Sequence, residues 1–501
     1  MASRAGRKSR LAARAAPPPV DPAPRGPRGG QYRPLSDTDV VAIIDAAYRI
    51  LDEVGMGEVP DDLRAELLAI GARDAGARLT FPAAMIDRVL AASPKTLTLC
   101  GRDPSRSITV GGDTVHFGTG GAAVETLDPG LGHYRAATLK DLYDFTRLAD
   151  KMDALSWFTR CCVATDMVGI RDLDINTVYA LLRGTTKPVA TSFTVADYVD
   201  PIANMLRLAG DFDAAPWVFA HISPIISPLR YGDDAVAVTR ACIRHGIPLN
   251  CIVAAQAGAT APAPPAAFLA ASIAETLAAL IMVHAIRPGT PMIFSNWPLV
   301  IDLRTGAFAG AGGESALMNA ASAQIINHLG LPSGVAASMT DSKAVDAQMG
   351  ADKGLTALAA GLSGANMVFE SAGMMAALLG ASFEAMVADN ETLRTVLRIL
   401  RGVEVTPETL SLTPVSEAVV GDGHFLGSAQ TLGAMERDYL YPVIGDRDTP
   451  RVWQEAGAQD QAARARARAD EILAAPDPGY LTRAEDAAIR ARFDIKLPPA
   501  S

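Results

Sequence analysis

The clearest pattern along the chain is a series of short apolar runs, each followed by a segment with helical periodicity. Seven of these runs predict strands, because they are bounded by Pro, Gly or polar residues. They are Trp157–Val163, Pro188–Ser192, Trp217–Ile222, Pro248–Ala254, Pro291–Ser295, Ser333–Ser338 and Met367–Glu370. Their starts lie 31, 29, 31, 43, 42 and 34 residues apart, which fits repeated strand–helix units better than hairpins.

The runs are apolar on both faces, as is typical of a parallel sheet that helices cover. Seven strand–helix units therefore predict an α/β fold, specifically a (β/α)8 TIM barrel over residues 136–440. The eighth strand is expected near Ala122–Leu127 or after Leu378. An open, doubly wound sheet is the alternative, since the same alternation permits it.

The segments outside the predicted barrel have different patterns. Residues 1–33 are basic and rich in Pro, Gly and Ala, which predicts a disordered tail. Residues 34–135 change from helical patterns to short strands and predict an N-terminal α+β cap. The strands expected there are Leu97–Cys100, Ser107–Val110, Val115–Phe117 and Val124–Leu127. Residues 441–501 predict C-terminal helices outside the barrel, with Arg464, Arg466 and Arg468 facing solvent.

Composition narrows the class of protein. The net charge of -10 combines about +7 in the first 33 residues with about -17 elsewhere, so the body lacks the basic face that nucleic acids require. The longest apolar stretch, 266–286, contains Glu275 and His284, which favours a buried helix over a membrane span. The five cysteines form no CxxC pair and read as reduced core residues, so we expect a cytoplasmic protein.

Polar residues at the predicted strand ends are the candidates for chemistry, because reactive groups of such barrels lie at the carboxyl ends of the strands. Glu370 ends one strand, and His221 is either a hydrogen-bonded core residue or a functional group at the barrel mouth. Asp341, Ser342 and Lys343 follow another strand, where Asp341 or Ser342 is expected to cap a helix that faces the active site.

Other catalytic signatures are absent from the sequence. No HExxH motif, histidine cluster or GxSxG motif occurs, so no metal site or acyl-transfer serine is expected. The segment 422–427 fits the DxHxxG pattern of corrinoid-binding domains, with His424 at the cobalt-ligating position. The chain after it lacks the SxL and GG elements of such a domain, so we expect no corrinoid held by this chain itself. His424 is instead a candidate for contact with substrate or an incoming cofactor.

Several longer segments carry a family resemblance. The chain resembles the trimethylamine methyltransferase family over roughly residues 34–480. The matching segments are GTGGAAVETLDPGLGHYRAATLKDL near 118–142, TTKPVATS at 185–192, AGATAPAPPAAFLAASIAETLA at 257–278, TDSKAVDAQMGADKGLTALAAGLSGANMVFESAGM at 340–374 and GHFLG at 423–427. The resemblance implies a (β/α)8 barrel that passes a methyl group to a cognate corrinoid protein. It places the cofactor, a cobalamin-type corrinoid, on that partner, with none bound covalently here.

The resemblance also bears on the substrate. Archaeal members carry pyrrolysine near the segment matching 333–343, whereas this chain has Ser338 and Met339 there. It therefore resembles the non-pyrrolysine branch, and we expect a quaternary amine such as a betaine as methyl donor.

The site hypothesis assigns Asp341, Lys343, Glu370 and His221 to catalysis. Substrate binding is assigned to aromatic, amide, hydroxyl and imidazole groups, with Lys343 or Arg304 as the partner of a substrate carboxylate. The substrate-binding candidates are Phe117, Phe294, Asn296, Trp297, Ser342 and His424.

Two other functions stay open on the sequence alone. One is a barrel lyase or hydrolase that uses Glu370, Asp341 and His221 as acid and base. The other is a non-catalytic subunit that binds a corrinoid protein. Whichever function applies, a homo-oligomer is expected, because large barrels often form symmetric assemblies.

Overall fold

The N-terminal part of the described chain forms a cap on one side of the barrel. The computed structural model describes residues 20–129, 132–421 and 423–499. The cap contains helices α1 (Asp37–Arg49), α2 (Asp61–Ala69) and α3 (Ala83–Ala92). Ser36 starts α1 with a capping box, because its hydroxyl accepts the Asp39 N–H while the Asp39 carboxylate accepts the Ser36 N–H.

Eight parallel strands form a closed barrel, which confirms the predicted fold. They are β1 (His116–Gly118), β2 (Leu155–Thr159), β3 (Val189–Thr191), β4 (Val218–Ile222), β5 (Leu249–Val253), β6 (Met292–Asn296), β7 (Ser333–Ala336) and β8 (Met367–Phe369). All seven predicted strands are present, and β1 closes the barrel by pairing with both β8 and β2. The barrel therefore begins near residue 116, within the segment that the sequence assigned to the cap.

A helix follows each barrel strand. They are α4 (Leu139–Lys151), α5 (Ile170–Gly184), α6 (Val199–Leu208), α7 (Asp233–Arg244), α8 (Pro265–Ile286), α9 (Gly313–His328), α10 (Ala347–Ser363) and α11 (Phe383–Arg401). Helix α8 is long and apolar enough to cross a membrane by length and composition. Because α1, α2 and α3 all pack against α8, most of its residues are buried inside the protein.

The amino end of the barrel is closed by local structure. The antiparallel strands Thr96–Leu99 and Ile108–Gly111 insert four apolar side chains into the barrel interior beside Trp157: Leu97, Leu99, Ile108 and Val110. Residues 20–33 lie at the same end, where the Gly26 N–H donates to the Val115 carbonyl and the Val115 N–H donates to the Pro27 carbonyl. Residues 20–33 are thus part of the folded protein, in contrast to the predicted disordered tail, whose remainder, 1–19, lies outside the described residues.

Short strands in the connecting loops form small sheets. One five-stranded sheet joins three strands of the cap to two strands of the loop after β4. The cap strands are Met56–Gly57, Arg73–Ala75 and Arg78–Thr80, and the loop strands are Ile225–Ile226 and Arg230–Tyr231. Those at the barrel mouth are Glu125–Leu127, Tyr134–Ala136, Met374–Met375, Gly380–Ala381, Gln256–Ala257, Leu299–Ile301 and Phe308–Ala309. These loop sheets hold the segments that surround the carboxyl ends of the barrel strands.

The C-terminal part is helical, and its first two helices lie before residue 441, within the range that the sequence analysis assigned to the barrel. It contains α12 (Thr413–Val420), α13 (Ala429–Arg437), α14 (Pro450–Glu455), α15 (Gln461–Ala474) and α16 (Arg483–Arg490). Helix α15 packs against α11 and α4 on the outside of the barrel. Of its arginines, Arg466 pairs with Glu384 and Arg468 with Glu471 at the surface, while Arg464 donates to the Ile444 carbonyl.

Candidate active site

A cavity of about 570 Å³ lies at the carboxyl end of the barrel. Its floor is formed by His221, Trp297 and Glu370, which are all at least nine-tenths buried. Its rim includes residues from the loops after several strands that are exposed to solvent: Ala122, Thr194, Ser223 and Asp234. A buried floor beneath an exposed rim leaves a route by which a ligand reaches the site from solvent.

Glu370 is the ionisable group on the cavity floor whose environment is most unusual. It follows β8 with a φ of 65°, a left-handed conformation that few non-glycine residues adopt. Neither carboxyl oxygen makes a well-formed hydrogen bond with a described residue, although the Gly121 amide is close enough to favour the charged form. Burial raises the pKa of Glu370 to about 8, and the Gly121 amide and the charge of Lys353 only partly oppose that shift. The carboxyl group is therefore an open position for a positively charged ligand.

The glycines of the Gly118–Gly121 segment allow the chain to approach Glu370. A Cβ atom on Gly120 would lie 2.7 Å from Glu370 Oε1, and one on Gly121 would lie 2.9 Å from Oε2. Gly118 has a different partner, since its Cβ would meet the Trp157 ring at 2.1 Å. This explains why small residues occupy these positions, and Gly121 is a site residue that the sequence reasoning did not identify.

Aromatic rings surround the same part of the cavity. The His221 and Phe369 ring centroids are 5.2 Å apart, and those of Trp297 and Phe369 are 5.4 Å apart. Burial and then the charge of Arg160 lower the pKa of His221 to about 3, so this imidazole is neutral at physiological pH. His221 therefore lines the cavity as predicted, but as an uncharged ring rather than as a group that titrates near pH 7.

A buried ion pair lies near the turn that carries Glu370. Lys353 on α10 donates to Asp389 on α11 at 2.8 Å, and the same Asp389 oxygen accepts the Gly373 N–H at 2.8 Å. Because Gly373 is three residues beyond Glu370, this contact ties the end of the β8 turn to two barrel helices. We infer that the pair fixes the backbone on which the left-handed Glu370 depends.

The Asp341–Lys343 segment is not part of the cavity. Asp341 accepts the Gly310 N–H through Oδ1, and the exposed Lys343 donates to the Asp341 carbonyl oxygen. Ser342 is buried and donates to Ala344 and Asp346. The predicted cap is wrong, because α10 starts only at Ala347 and Asp346 caps it by accepting the Met349 N–H. The polar cluster therefore holds a loop together beside the site.

Three of the predicted substrate-binding residues point away from the barrel interior. Successive side chains of a strand face opposite sides, so Phe294 and Asn296 share one face of β6, and that face is the outer one. The Asn296 amide donates to Ser272 on α8, and Phe294 packs in the helical layer. Phe117 on β1 likewise faces α10, where its ring would be 3.4 Å from a Cβ on Gly361.

Two further predicted residues lie elsewhere. His424 is exposed, and it lies in the segment between α12 and α13. Arg304 is exposed and forms a two-pronged ion pair with Asp302, at 3.0 and 2.8 Å. The cavity thus brings together His221, Trp297 and Glu370 from the predicted set, and leaves out Phe117, Phe294, Asn296, Asp341, Ser342, Lys343 and His424.

Within the described parts of the chain, no group of three or more His, Cys, Asp or Glu side chains is arranged to hold a metal ion. The cavity instead presents one buried carboxyl group, aromatic faces and a few hydroxyl groups. Aromatic faces and a carboxylate are the groups that bind organic cations in water-poor sites. The fold and the site together describe a barrel with a mouth cavity whose lining suits a small organic cation.

Comparison with known proteins identifies the family. Residues 3–496 match the model of the trimethylamine methyltransferase (MTTB) family, so the chain belongs to that family and is a methyltransferase. It is 28% identical to a glycine betaine methyltransferase of Desulfitobacterium hafniense over 92% of this chain and 96% of that protein. It is also 28% identical to the trimethylamine methyltransferase MttB of the same species, over 88% and 89% of the two chains. A third relative, trimethylamine methyltransferase MttB2 of Methanosarcina mazei, is 28% identical over 78% and 80%.

Proposed function

We propose that this protein transfers a methyl group from a quaternary amine, such as a betaine, to the Co(I) corrinoid of a separate partner protein. The observation that carries the proposal is that the buried, unpartnered Glu370 carboxyl group and the Trp297 ring line the same cavity at the barrel mouth. A quaternary ammonium group fits both neighbours, since it is attracted to a carboxylate and to an aromatic face. The similarity to a protein described as a glycine betaine methyltransferase supports the same substrate class.

The balance of the reaction explains why so few reactive side chains are needed. The Co(I) corrinoid, as the methyl acceptor, supplies the electron pair of the new bond to carbon. The electron pair of the broken C–N bond stays on nitrogen, which leaves as a neutral tertiary amine. No proton moves in this step, so the residues of this chain need only hold the N–CH3 bond in line with the acceptor and exclude water.

The same geometry disfavours a lyase or hydrolase. That alternative needs an acid and a base within reach of one substrate, from Glu370, Asp341 and His221. With its pKa lowered to about 3 by burial, His221 is too weak a base to take up a proton near pH 7. Asp341 lies outside the cavity, where it accepts the Gly310 N–H. Of the three proposed groups, only Glu370 is left to act as an acid or a base in the cavity. A single carboxyl group beside aromatic rings suits binding of a cation better than proton transfer by an acid–base pair.

The rim of the mouth supports docking of a partner protein. Six large apolar side chains that follow barrel strands β1, β2, β4, β6 and β8 are from 45% to 101% exposed. They are Val124, Val168, Ile170, Ile226, Leu303 and Leu379. Exposed apolar residues in the loops at the mouth of a barrel suit an interaction site. A corrinoid protein that covers this rim would bring its cofactor over the cavity floor.

A methyl-transfer assay tests the proposal. The purified chain is mixed with a reduced corrinoid protein, or with reduced cobalamin, and with glycine betaine, carnitine, proline betaine or choline, and the spectrum is followed as Co(I) is consumed. We expect turnover with at least one quaternary amine and loss of most of it in Glu370→Gln. Asp341→Asn is the matched control, because it alters a predicted carboxylate that lies outside the cavity. Binding of the corrinoid protein without methyl transfer from any of these amines would instead favour a non-catalytic subunit.

A further inference from the structure

The floor of the mouth cavity contains three buried polar groups that do not satisfy one another. The carboxyl oxygens of Glu370, the indole N–H of Trp297 and Nε2 of His221 all lack a well-formed hydrogen bond with a described residue. Buried polar atoms of folded proteins nearly always have a partner, so these atoms point to a ligand that supplies one. Glu370 says most about that ligand, because an ionised carboxylate only accepts hydrogen bonds and therefore needs a donor.

No basic side chain of the described cavity lining supplies this donor. The lining residues that the structure describes include no lysine and no arginine. Lys353, whose charge acts on Glu370, donates instead to Asp389 at 2.8 Å. On the side of Gly121 the surroundings are apolar, since a Cβ atom on this glycine would lie 2.5 Å from Met374 Cε. The donor for the carboxyl group is therefore left to whatever occupies the cavity.

The remaining walls of the cavity suit methyl groups on a charged nitrogen. The Trp297 ring, Ile252 and Leu378 line the same cavity as Glu370. Aromatic faces attract an alkylammonium ion without forming a directed hydrogen bond to it. A methylated ammonium ion thus meets apolar walls around its methyl groups and one carboxyl group for its charge and for any N–H that it carries.

A quaternary substrate and its demethylated product meet this carboxyl group differently. The quaternary ion has no N–H, so its methyl groups approach the oxygens through weak C–H···O contacts of about 3.3–3.6 Å. Loss of one methyl group leaves a nitrogen lone pair, which takes up one proton from solvent, because an alkylamine such as the lysine side chain is protonated near neutral pH. The new N–H donates to a carboxylate at about 2.7–2.9 Å. The product therefore supplies the donor that Glu370 lacks.

Water in the cavity increases this difference. The exposed rim leaves the floor open to solvent, and a water molecule there donates to the carboxyl group of the free protein. A quaternary ion displaces that water without replacing its hydrogen bond, which lowers affinity. A protonated tertiary amine displaces the same water and replaces its bond with a charge-assisted one.

We propose that Glu370 binds the demethylated product, as its protonated tertiary ammonium ion, through a direct N–H···O hydrogen bond, so that the product binds more tightly than the quaternary substrate and competes with it. This inference rests on the proposed function, because it assumes that a quaternary amine loses a methyl group in this cavity. It adds a regulatory property to the site, since turnover slows as the demethylated amine accumulates.

Equilibrium binding of tetramethylammonium and trimethylammonium tests the inference without any corrinoid. The two ions are related as substrate and product of one demethylation, and they differ only in a methyl group that replaces the N–H. Calorimetric titration of the unaltered protein at pH 8 should give a Kd for trimethylammonium that is about ten- to a hundred-fold lower, the effect of a hydrogen bond to a charged group. The free-energy cost of ionising Glu370 applies to both ions and cancels in the ratio of the two Kd values.

Two substitutions should reduce this ratio in steps. Glu370→Gln keeps an acceptor oxygen but loses the charge, so the preference for trimethylammonium should fall to about two- to tenfold, as expected for a hydrogen bond between less strongly interacting groups. Glu370→Met has a similar length and no acceptor oxygen, so trimethylammonium should bind no more tightly than tetramethylammonium. Asp341→Asn is the control, because this carboxylate lies outside the cavity and its loss should leave the ratio unchanged. A merely structural role of Glu370 would not grade the ratio in this way.

Equal affinity of the two ions for the unaltered protein would overturn the inference, as would an undiminished preference in Glu370→Met or no measurable binding of either ion. The outcome separates from that of the proposed function. If the ratio behaves as expected but no methyl group reaches a corrinoid, the N–H binding site stands and the proposed reaction fails. If methyl transfer occurs while both ions bind equally, the reaction stands and the inference fails.

Discussion

Replacing Glu370 with Gln tests whether this carboxyl group binds the cation. At about 4 Å and an effective dielectric constant near 20, a carboxylate attracts a unit positive charge by ~4 kcal/mol. Ionising a group whose pKa is about 8 costs roughly 1.4 kcal/mol at pH 7. The net gain is therefore about 2.5 kcal/mol, which corresponds to a loss of roughly 70-fold in affinity when the charge is removed.

The same substitution has a signature in pH. Below pH 8 the proton on Glu370 competes with the cation, so the affinity of the unaltered protein should rise by about tenfold per pH unit from pH 6 to 8 and level off above pH 8. Glu370→Gln carries no such proton and should bind equally over this range. Calorimetric titration with tetramethylammonium between pH 6 and 9 measures both effects, with Asp341→Asn as the control. Equal affinity and the same pH profile in Glu370→Gln would refute the reasoning.

Three further predictions concern the surroundings of the site. In Gly120→Ala, a Cβ at 2.7 Å from Glu370 should displace the carboxyl group and weaken tetramethylammonium binding, which the same titration reports. The unaltered protein should lose stability as pH rises from 4.5 to 8, because Glu370 ionises in the unfolded chain but stays protonated in the folded one. Glu370→Gln lacks this group, so its free energy of unfolding should increase relative to that of the unaltered protein over the same range. Thermal melts between pH 4.5 and 8 measure the difference. Lys353→Met should destabilise the fold by about 3–5 kcal/mol by leaving Asp389 buried without its partner, and adding Asp389→Asn should restore much of the loss in denaturant unfolding.

The barrel could be predicted because its strands are buried on both faces and separated by regular helical segments. β1 escaped assignment to the barrel since it is only three residues long and follows a hairpin, so its local pattern is that of the cap. Its role comes from pairing with β8, about 250 residues later in the chain, and no local pattern reports such a contact.

The candidate site was only partly predictable. The rule that barrel chemistry lies at strand ends selected His221 and Glu370, and the search for aromatic partners of a cation selected Trp297; all three line the cavity. The strand-end rule does not say whether a side chain faces the barrel interior or the surrounding helices. It therefore also selected Asn296, whose side chain faces a helix.

Transfer of an isotopically labelled methyl group tests the central claim most directly. The protein is incubated with trimethyl-deuterated glycine betaine and a reduced corrinoid protein, and both products are analysed by mass spectrometry. We expect a deuterated methyl group on the corrinoid and an equal amount of dimethylglycine that retains two labelled methyl groups. Unlabelled corrinoid, or consumption of the betaine without a dimethylated product, would contradict it.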